Sequence, residues 1–373
     1  MKVIVAMDSF KDAADSLTVC KSIKQGWLKA NPFSEVLCFP LADGGEGLID
    51  ILKLYLPMDL IKVEVDDALR RKKVAHYLYS SSRKIAVIEV AQAIGLQDLN
   101  SSERNPLLTS SYGVGELINH ACKLGVEEVL IGLGGSSTND AGMGMAKALG
   151  WKFLDENGED CEPIGNDLIK VFQILPPAKF IGSKVKFEIL CDVENPLYGP
   201  NGAAYVFAPQ KGADALAVKK LDNGLKHFYG ICSQLNNKVK QNLPGAGAAG
   251  GLGFGTSFFL DASLRSGIEL ILKYTQIEKN IKDMDLIITG EGSLDKQTLQ
   301  GKLVKGICQI AQKYNKPVIA LCGALSLDID QLNNLGLKAA FSIAQGPCTL
   351  NEALENTEKN LMSTAFNLAQ LMK

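Results

Sequence analysis

The chain lacks the features that mark several large classes of protein. Its 373 residues carry a formal net charge of −2, so no basic field would attract nucleic acid or an acidic membrane surface. No apolar run approaches the ~20 residues that a membrane span requires, and the N-terminal run is too short for a signal peptide. The nine cysteines include no C-x-x-C pair, which is typical of reduced core residues. We therefore expect a cytoplasmic protein whose partners are small molecules.

Several catalytic motifs are absent as well. The three histidines are not spaced as zinc ligands, and without G-x-S-x-G there is little support for a nucleophilic triad. The P-loop motif and the H-R-D and D-F-G motifs of protein kinases are also missing. A formal G-x-G-x-x-G lies within residues 244–255, but the segment before it is polar and has no strand pattern. We interpret it as a flexible loop over a phosphate-bearing ligand, with a plain linker as the alternative.

A turn rich in glycine and hydroxyl groups is the first positive signal. Apolar residues at 129–133 predict a buried strand, those at 143–149 predict a helix, and Gly134–Asp140 lies between them. Such a turn points unpaired N–H groups of the helix N-terminus at a ligand, and anions gather there. The alternative is a tight turn capped by Asn139 or Asp140.

The order of predicted elements indicates two domains. Strands and helices alternate at both ends of the chain, which predicts a parallel sheet with crossover helices. Residues 60–90 hold three strands joined by short polar turns, which favours an antiparallel region. We predict an α/β domain built from residues 1–65 and 280–373, interrupted by a mixed α/β domain of residues 66–279. We expect the active site in the cleft between them.

Four acidic or glycine-rich loops follow predicted strand ends, and hard oxygen ligands are what Mg²⁺ selects. These loops are residues 43–47, 134–140, 191–196 and 289–297. Lys11 and Lys302 lie beside such loops, where a lysine can act as a point charge on a phosphate. Each feature taken alone also fits a solvated turn, a helix cap or an ordinary surface lysine.

Eight motifs, in order along nearly the whole chain, make it resemble the bacterial glycerate kinases. They are residues 8–11 (DSFK), 40–47 (PLADGGEG), 109–117 (TSSYGVGEL), 134–140 (GGSSTND), 191–197 (CDVENPL), 209–212 (PQKG), 244–251 (PGAGAAGG) and 289–298 (TGEGSLDKQT) with 301–302 (GK). The resemblance implies ATP, Mg²⁺, D-glycerate as acceptor and a flavodoxin/Rossmann-like domain from both chain ends. Asp12-Ala13 and Ser293 depart from the family's usual Gly-Ser and arginine.

The resemblance and the loop chemistry together give each candidate residue a hypothetical role. Cofactor-binding residues are Gly134, Gly135, Ser136, Ser137, Asn139, Gly247, Gly250, Glu291 and Lys302. Substrate-binding residues are Asp8, Lys11, Asp43, Glu46, Asp140 and Gln297. Catalytic residues are Lys11, Asp43, Asp192 and Asp295, with Asp192 and Glu291 as metal ligands. Either Asp43 or Asp295 would accept the hydroxyl proton.

The sequence thus predicts an enzyme, a glycerate kinase that phosphorylates D-glycerate with ATP and Mg²⁺. The expected product is 2-phosphoglycerate, with 3-phosphoglycerate as the alternative. A kinase for another small hydroxy acid or sugar, and a nucleotide-binding regulator without turnover, are the competing interpretations. Nucleic acid and membrane partners are not expected, and a homodimer is left open.

Overall fold

The computed structural model of the chain describes residues 1–42, 47–236, 240–296, 298–300 and 303–372. The strands are β1 (Lys2–Met7), β2 (Glu35–Pro40), β3 (Asp59–Asp66), β4 (Lys72–Ser80), β5 (Ile85–Glu89), β6 (Glu128–Gly132), β7 (Lys152–Leu154), β8 (Gln173–Leu175), β9 (Lys186–Leu190), β10 (Ser263–Arg265), β11 (Leu286–Leu294), β12 (Val318–Leu325) and β13 (Ala339–Ser342). The helices are α1 (Ser16–Ala30), α2 (Leu48–Tyr55), α3 (Ala91–Ile94), α4 (Tyr112–Lys123), α5 (Met143–Ala148), α6 (Ala203–Phe207), α7 (Ala215–Leu235), α8 (Ala248–Leu260), α9 (Gly267–Thr275), α10 (Ile277–Ile281), α11 (Leu303–Lys313), α12 (Ile329–Leu335), α13 (Leu350–Glu355) and α14 (Thr357–Leu371).

The chain divides into two compact units. The terminal unit combines Met1–Asp43 with Ile268–Lys373, and the central unit is Gly44–Gly267. The predicted fold class is confirmed, since a parallel-sheet unit from both chain ends is interrupted by an α/β unit with a mixed sheet. The domain boundaries predicted after residues 65 and 279, and the cleft expected between the domains, stay predictions.

The terminal unit contains a five-stranded sheet in the order β13-β12-β11-β1-β2, and every neighbouring pair is parallel. Counted within the unit, this is the 2-1-3-4-5 order of the flavodoxin-like fold. Val3–Met7 are fully buried because both faces of a parallel sheet are covered by crossover helices. Gly26 brings α1 close to α14, since a Cβ there would overlap the carbonyl oxygen of Met362.

The central unit contains a six-stranded mixed sheet in the order β10-β9-β6-β5-β4-β3. Its first four strands are parallel, whereas β5, β4 and β3 pair antiparallel, as their short connecting turns predict. Glu89, Gly132, Leu190 and Arg265 are register partners in one row at the carboxyl ends of the parallel strands. The candidate loops of the central unit begin just after this row of residues.

Three predicted segments differ from the structure. Residues 289–294, predicted as a loop, continue β11, because Glu291 and Leu294 pair with β12. The closing helix predicted over 351–371 is two helices separated at Asn356. The glycine-rich run predicted as a loop becomes helical after Gly251, and the helix that follows is almost wholly buried.

The described part of the chain supports two further statements. Within it, none of the helices combines the length and apolarity that a bilayer crossing requires. All nine cysteines are free thiols and six of them are buried, as expected of reduced core residues. Cys348 is the exposed member of the set.

Candidate active site

The terminal unit places two candidate loops at its topological switch point. In the 2-1-3-4-5 order, β1 and β11 are the neighbouring strands at which the connections change direction, and ligands bind beyond their carboxyl ends. The amide of Asp8, directly after β1, donates to the carbonyl oxygen of Gly290 (3.0 Å). A Cβ on Gly292 would lie 3.6 Å from the amide nitrogen of Lys11. Residues 8–11 and 290–292 therefore lie side by side.

A threonine links the two acidic residues of this loop. Thr298 Oγ1 donates to Glu291 Oε1 (2.7 Å), and both side chains are buried. The amide of Asp295 donates to the same Thr298 hydroxyl oxygen (3.2 Å), and the Thr298 amide returns a bond to the Asp295 carbonyl (3.0 Å). This arrangement holds the segment after β11 beside Glu291, with Asp295 half-buried and Lys11 exposed.

Four sequence-predicted site residues lie outside the described residues. They are Asp43, Glu46, Gln297 and Lys302. Their assigned roles stay predictions, and so does the choice between Asp43 and Asp295 as the base.

The central unit presents its loops at the carboxyl edge of the parallel strands. The Gly134–Asp140 turn follows β6, and Asp192 follows β9. Asp192 Oδ1 accepts hydrogen bonds from the Ser266 hydroxyl (3.0 Å) and the Gly267 amide (3.2 Å), which lie just past β10. The ends of three adjacent strands thus contribute to one edge, in the position where α/β sheets bind ligands.

Hydrogen bonds to other segments hold the Gly134–Asp140 turn in place. Gly135 has φ +67°, a left-handed conformation that suits glycine. The amide and hydroxyl of Ser137 both donate to the carbonyl oxygen of Ile94 (2.9 Å each). Thr109 Oγ1 donates to the carbonyl oxygen of Ser137 (3.0 Å). The turn is therefore held by residues from two other segments of the central unit.

Asp140 is a buried cap within this turn. Its carboxylate accepts from the Ser111 amide (2.7 Å) and hydroxyl (2.8 Å) and from the amides of Gly142 and Gly144 (3.2 Å each). Burial raises the pKa of Asp140, while these four donors act in the opposite direction. The capping alternative considered for this residue is therefore what the structure shows. Its proposed role as a substrate ligand stays a prediction.

The glycine-rich run packs directly on the turn. A Cβ on Gly250, where φ is +68°, would lie 2.6 Å from the Cα of Asn139 and overlap the Thr138 carbonyl oxygen. The Gly250 carbonyl in turn accepts from the Ala141 amide (3.1 Å). The structure therefore brings the two predicted cofactor loops together.

The loop after β9 joins the same cluster. The amide of Gly247 donates to the carbonyl oxygen of Asn195 (2.9 Å), and a Cβ on Gly247 would overlap the carbonyl oxygen of Pro196. We name residues 134–140, 191–196 and 245–251 the central loop cluster. Of the four loops predicted from the sequence, residues 134–140 and 191–196 lie in this cluster, and residues 289–296 belong to the terminal unit. Residues 43–46 lie outside the described residues.

Asn139 has polar atoms that lack a protein partner. Its side chain is completely buried, and neither Oδ1 nor Nδ2 meets a hydrogen-bonding group among the residues that the structure describes. A buried amide without partners costs ~1–3 kcal/mol, so it needs a compensating role. A bound water or ligand atom in the central loop cluster would supply both bonds.

Two buried charged residues were missed by sequence reasoning. Lys211 Nζ donates to the Ser136 hydroxyl (3.0 Å) and to the Thr138 carbonyl (2.7 Å), and burial lowers the pKa of Lys211 to about 7. Glu89 Oε1 accepts from the Ile49 amide (2.9 Å), and burial raises the pKa of that carboxyl. The signals were present, since Lys211 belongs to the 209–212 motif and Glu89 ends a buried strand.

The donor groups present suit Mg²⁺ better than a metal held by protein alone. Among the described residues, no three His, Cys, Asp or Glu side chains gather as a metal-binding group. Mg²⁺ is commonly bound by one or two carboxylates together with substrate phosphates and water. Asp192 and Glu291 are carboxylates of this kind, and each is oriented by a hydroxyl donor.

Comparisons with known proteins agree over the full length. The sequence profile of the Glycerate kinase family matches residues 3–373. A glycerate kinase from Bacillus cereus is 42% identical over 374 residues, covering 100% of this chain and 98% of the relative. Escherichia coli glycerate 2-kinase is 37% identical, covering 99% of this chain and 97% of the relative. The crystal structure of a glycerate kinase 2 from Salmonella typhimurium LT2 superposes with a TM-score of 0.83 at 39% identity, covering 100% of this chain and 98% of that one.

Proposed function

The chain belongs to the glycerate kinase family, and on that premise we propose that it transfers the γ-phosphoryl group of ATP to D-glycerate with Mg²⁺. The prediction of an enzyme, a phosphotransferase of this family, is confirmed by relatives named glycerate kinase at 37–42% identity over the full length. The proposed product is 2-phosphoglycerate, which the name of the Escherichia coli relative supports. The alternative product is 3-phosphoglycerate.

The observation that carries this proposal is the central loop cluster. Three segments far apart in the sequence pack backbone to backbone there, through Gly247 and Gly250. Glycine at these positions lets the chain approach a ligand closely, and oriented backbone amides near a helix N-terminus favour anions. We assign the triphosphate to this cluster, where Gly134 and Gly135 are the partly exposed residues of the 134–140 turn.

Three side chains of the turn have different proposed roles. Ser136 and Ser137 are buried and hold the turn, so they support the phosphate site through its backbone. Asn139, with both polar side-chain atoms unpartnered among described residues, can bind a ligand atom or an ordered water. Positioning of this kind can supply ~7–11 kcal/mol of the barrier reduction, because phosphoryl transfer requires little covalent chemistry from the protein.

Asp192 and Glu291 are the proposed metal ligands. When bound, Mg²⁺ would neutralise charge on the phosphate oxygens. The protein's own contribution is to hold two carboxylates in place. The Ser266 hydroxyl and the Gly267 amide do this for Asp192, and the Thr298 hydroxyl does it for Glu291.

The acceptor is assigned to the terminal unit's switch point. Asp8, where the Ser9 amide donates to Oδ1 (2.6 Å), stands beyond β1, and the exposed Lys11 offers a cation for the glycerate carboxylate. Asp43 or Asp295 is the proposed acceptor of the hydroxyl proton. Glu46, Gln297 and Lys302 keep their proposed ligand roles. The cytoplasmic location and the homodimer remain predictions.

An ADP-release assay across a panel of acceptors tests the proposal. With ATP and Mg²⁺, D-glycerate should give the highest kcat/KM, above L-glycerate, lactate, tartronate and small sugars. Preference for another acceptor would identify a kinase of different specificity. ATP binding without ADP release in the presence of any acceptor would indicate the regulator.

A further inference from the structure

Lys211 is a buried lysine whose side chain is directed inward by the backbone turn that carries it. Pro209–Lys211 form a 3₁₀ turn that ends at Gly212, where φ is +96°. A Cβ on Gly212 would overlap the carbonyl oxygen of Arg104, so the backbone packs closely against Arg104. From this fixed turn the lysine side chain runs inward and is only 2% exposed.

The ammonium group donates hydrogen bonds to two residues of the 134–140 turn. Nζ donates to the Ser136 hydroxyl at 3.0 Å and to the Thr138 carbonyl at 2.7 Å. That same Thr138 carbonyl is the group against which Gly250 packs. Lys211 thus holds the Thr138 peptide group, on which the glycine-rich run packs.

Burial of the Lys211 ammonium lowers the stability of the fold, which suggests that its charge has a function. Within the described ranges, no carboxylate lies within ion-pair distance of Nζ, and two neutral oxygens are its hydrogen-bond partners. A buried ammonium without a carboxylate at ion-pair distance opposes folding, so an apolar side chain of similar length would stabilise this position better. Residues that oppose stability in this way are typical of functional sites.

We propose that Lys211 is a positioning residue for the triphosphate, which orients the 134–140 turn and supplies positive charge beneath it. The inference rests on the proposed function, because it assumes that the turn binds phosphate. The charge acts through the turn, since the side chain is buried and contacts Ser136 and Thr138.

Protonation of Lys211 is then linked to nucleotide binding. Burial lowers its pKa to about 7, and Asp140 is the charged neighbour that acts in the opposite direction. An anion at the turn favours the charged form of a nearby lysine and raises its pKa. ATP binding near pH 7 should therefore take up a proton, and the KM for ATP should rise as pH increases above 7.

The decisive variant is Lys211→Met, which keeps the length of the side chain and removes the charge. We expect the KM for ATP to increase ~10- to 100-fold, the range for one charge-assisted interaction. The KM for D-glycerate should change less than threefold, and the melting temperature should stay equal or rise. Lys219→Met, at an exposed position on α7, is the matched control and should match the wild type in all three measurements. A lowered melting temperature with an unchanged KM for ATP would show a structural role and overturn the proposal.

Three further measurements test the role of Lys211. Ser136→Ala and Lys211→Met should have non-additive effects on the KM for ATP, because each removes the same hydrogen bond between Lys211 and Ser136. If Lys211→Met does not fold, the pH profile of the wild-type KM decides, and a flat profile from pH 6 to 9 would refute the linkage. Calorimetric titration of ATP, together with the turnover assay, separates the proposed kinase function from the proposed role of Lys211. Wild-type binding without glycerate turnover would defeat the proposed function, while equal affinity in wild type and variant would defeat the role of Lys211.

Discussion

Replacement of Gly250 by alanine tests the contact on which the central loop cluster depends. At φ +68° an L-residue with a Cβ is strained by ~1–2 kcal/mol. The new Cβ would also lie 2.6 Å from the Asn139 Cα and 2.7 Å from the Thr138 carbonyl carbon. Both neighbours are backbone, and relieving such overpacking typically costs a further ~1–3 kcal/mol. We therefore expect a total loss of ~2–5 kcal/mol, a large share of the ~5–15 kcal/mol that stabilises a typical protein.

Urea unfolding followed by circular dichroism measures this loss, and initial rates measure the KM for ATP. Gly230→Ala in α7 is the matched control, because a Cβ there meets no atom within 4 Å. Alanine in a helix interior should stabilise this variant by ~0.5–1 kcal/mol and leave the KM unchanged. In Gly250→Ala the unfolding midpoint should fall and the KM for ATP should rise. A free energy of unfolding within ~0.5 kcal/mol of the wild type would refute the close backbone contact.

Three further substitutions or conditions probe the remaining assignments. Asp192→Asn should keep the fold and lower kcat by ~10²–10³-fold, the usual effect of losing one group that stabilises transition-state charge, and near-normal turnover would remove Asp192 from the site. Thr298→Val should raise the Mg²⁺ concentration required for half-maximal rate ~10-fold or more, since Glu291 loses its hydroxyl donor (2.7 Å), and an unchanged requirement would argue against Glu291 as a ligand. Because the pKa of Lys211 falls from its ordinary 10.5 to about 7 on folding, the unfolded chain binds more protons between these values and stability should rise with pH by up to ~1.4 kcal/mol per pH unit. The free energy of unfolding of the wild type minus that of Lys211→Met should show this rise from pH 7 to 9, and a constant difference would contradict the assignment.

The order and type of the main elements could be predicted from the sequence, since hydrophobic periodicity is local information. The helix predicted over Leu303–Lys313 has those bounds, and the three antiparallel strands between residues 59 and 89 are present. Glycine and acidic residues at strand ends also indicated the loops of the candidate site. Residues 134–140, 191–196 and 245–251 do pack into one cluster.

Long-range contacts account for what sequence reasoning missed. Residues 289–297 were predicted as an acidic, glycine-rich loop, yet pairing with β12 extends the strand through Leu294. The capping contacts of Asp140 include the amide and hydroxyl of Ser111, 29 residues away in sequence, which a local pattern does not reveal, while its proposed substrate role stays a prediction. Lys211 lay unassigned in its motif because its burial depends on contacts 73 and 75 residues away in sequence.

The reaction that we propose for this member of the glycerate kinase family moves a phosphoryl group from ATP to a hydroxyl of D-glycerate. Incubation of the protein with ATP, Mg²⁺ and D-glycerate, followed by ³¹P and proton-coupled NMR of the product, tests it most directly. We predict stoichiometric ADP and a phosphate coupled to the single proton at carbon 2. Coupling to the two protons at carbon 3 would identify the alternative product and correct the regiochemistry. Unchanged glycerate, with or without ATP hydrolysis, would contradict the account.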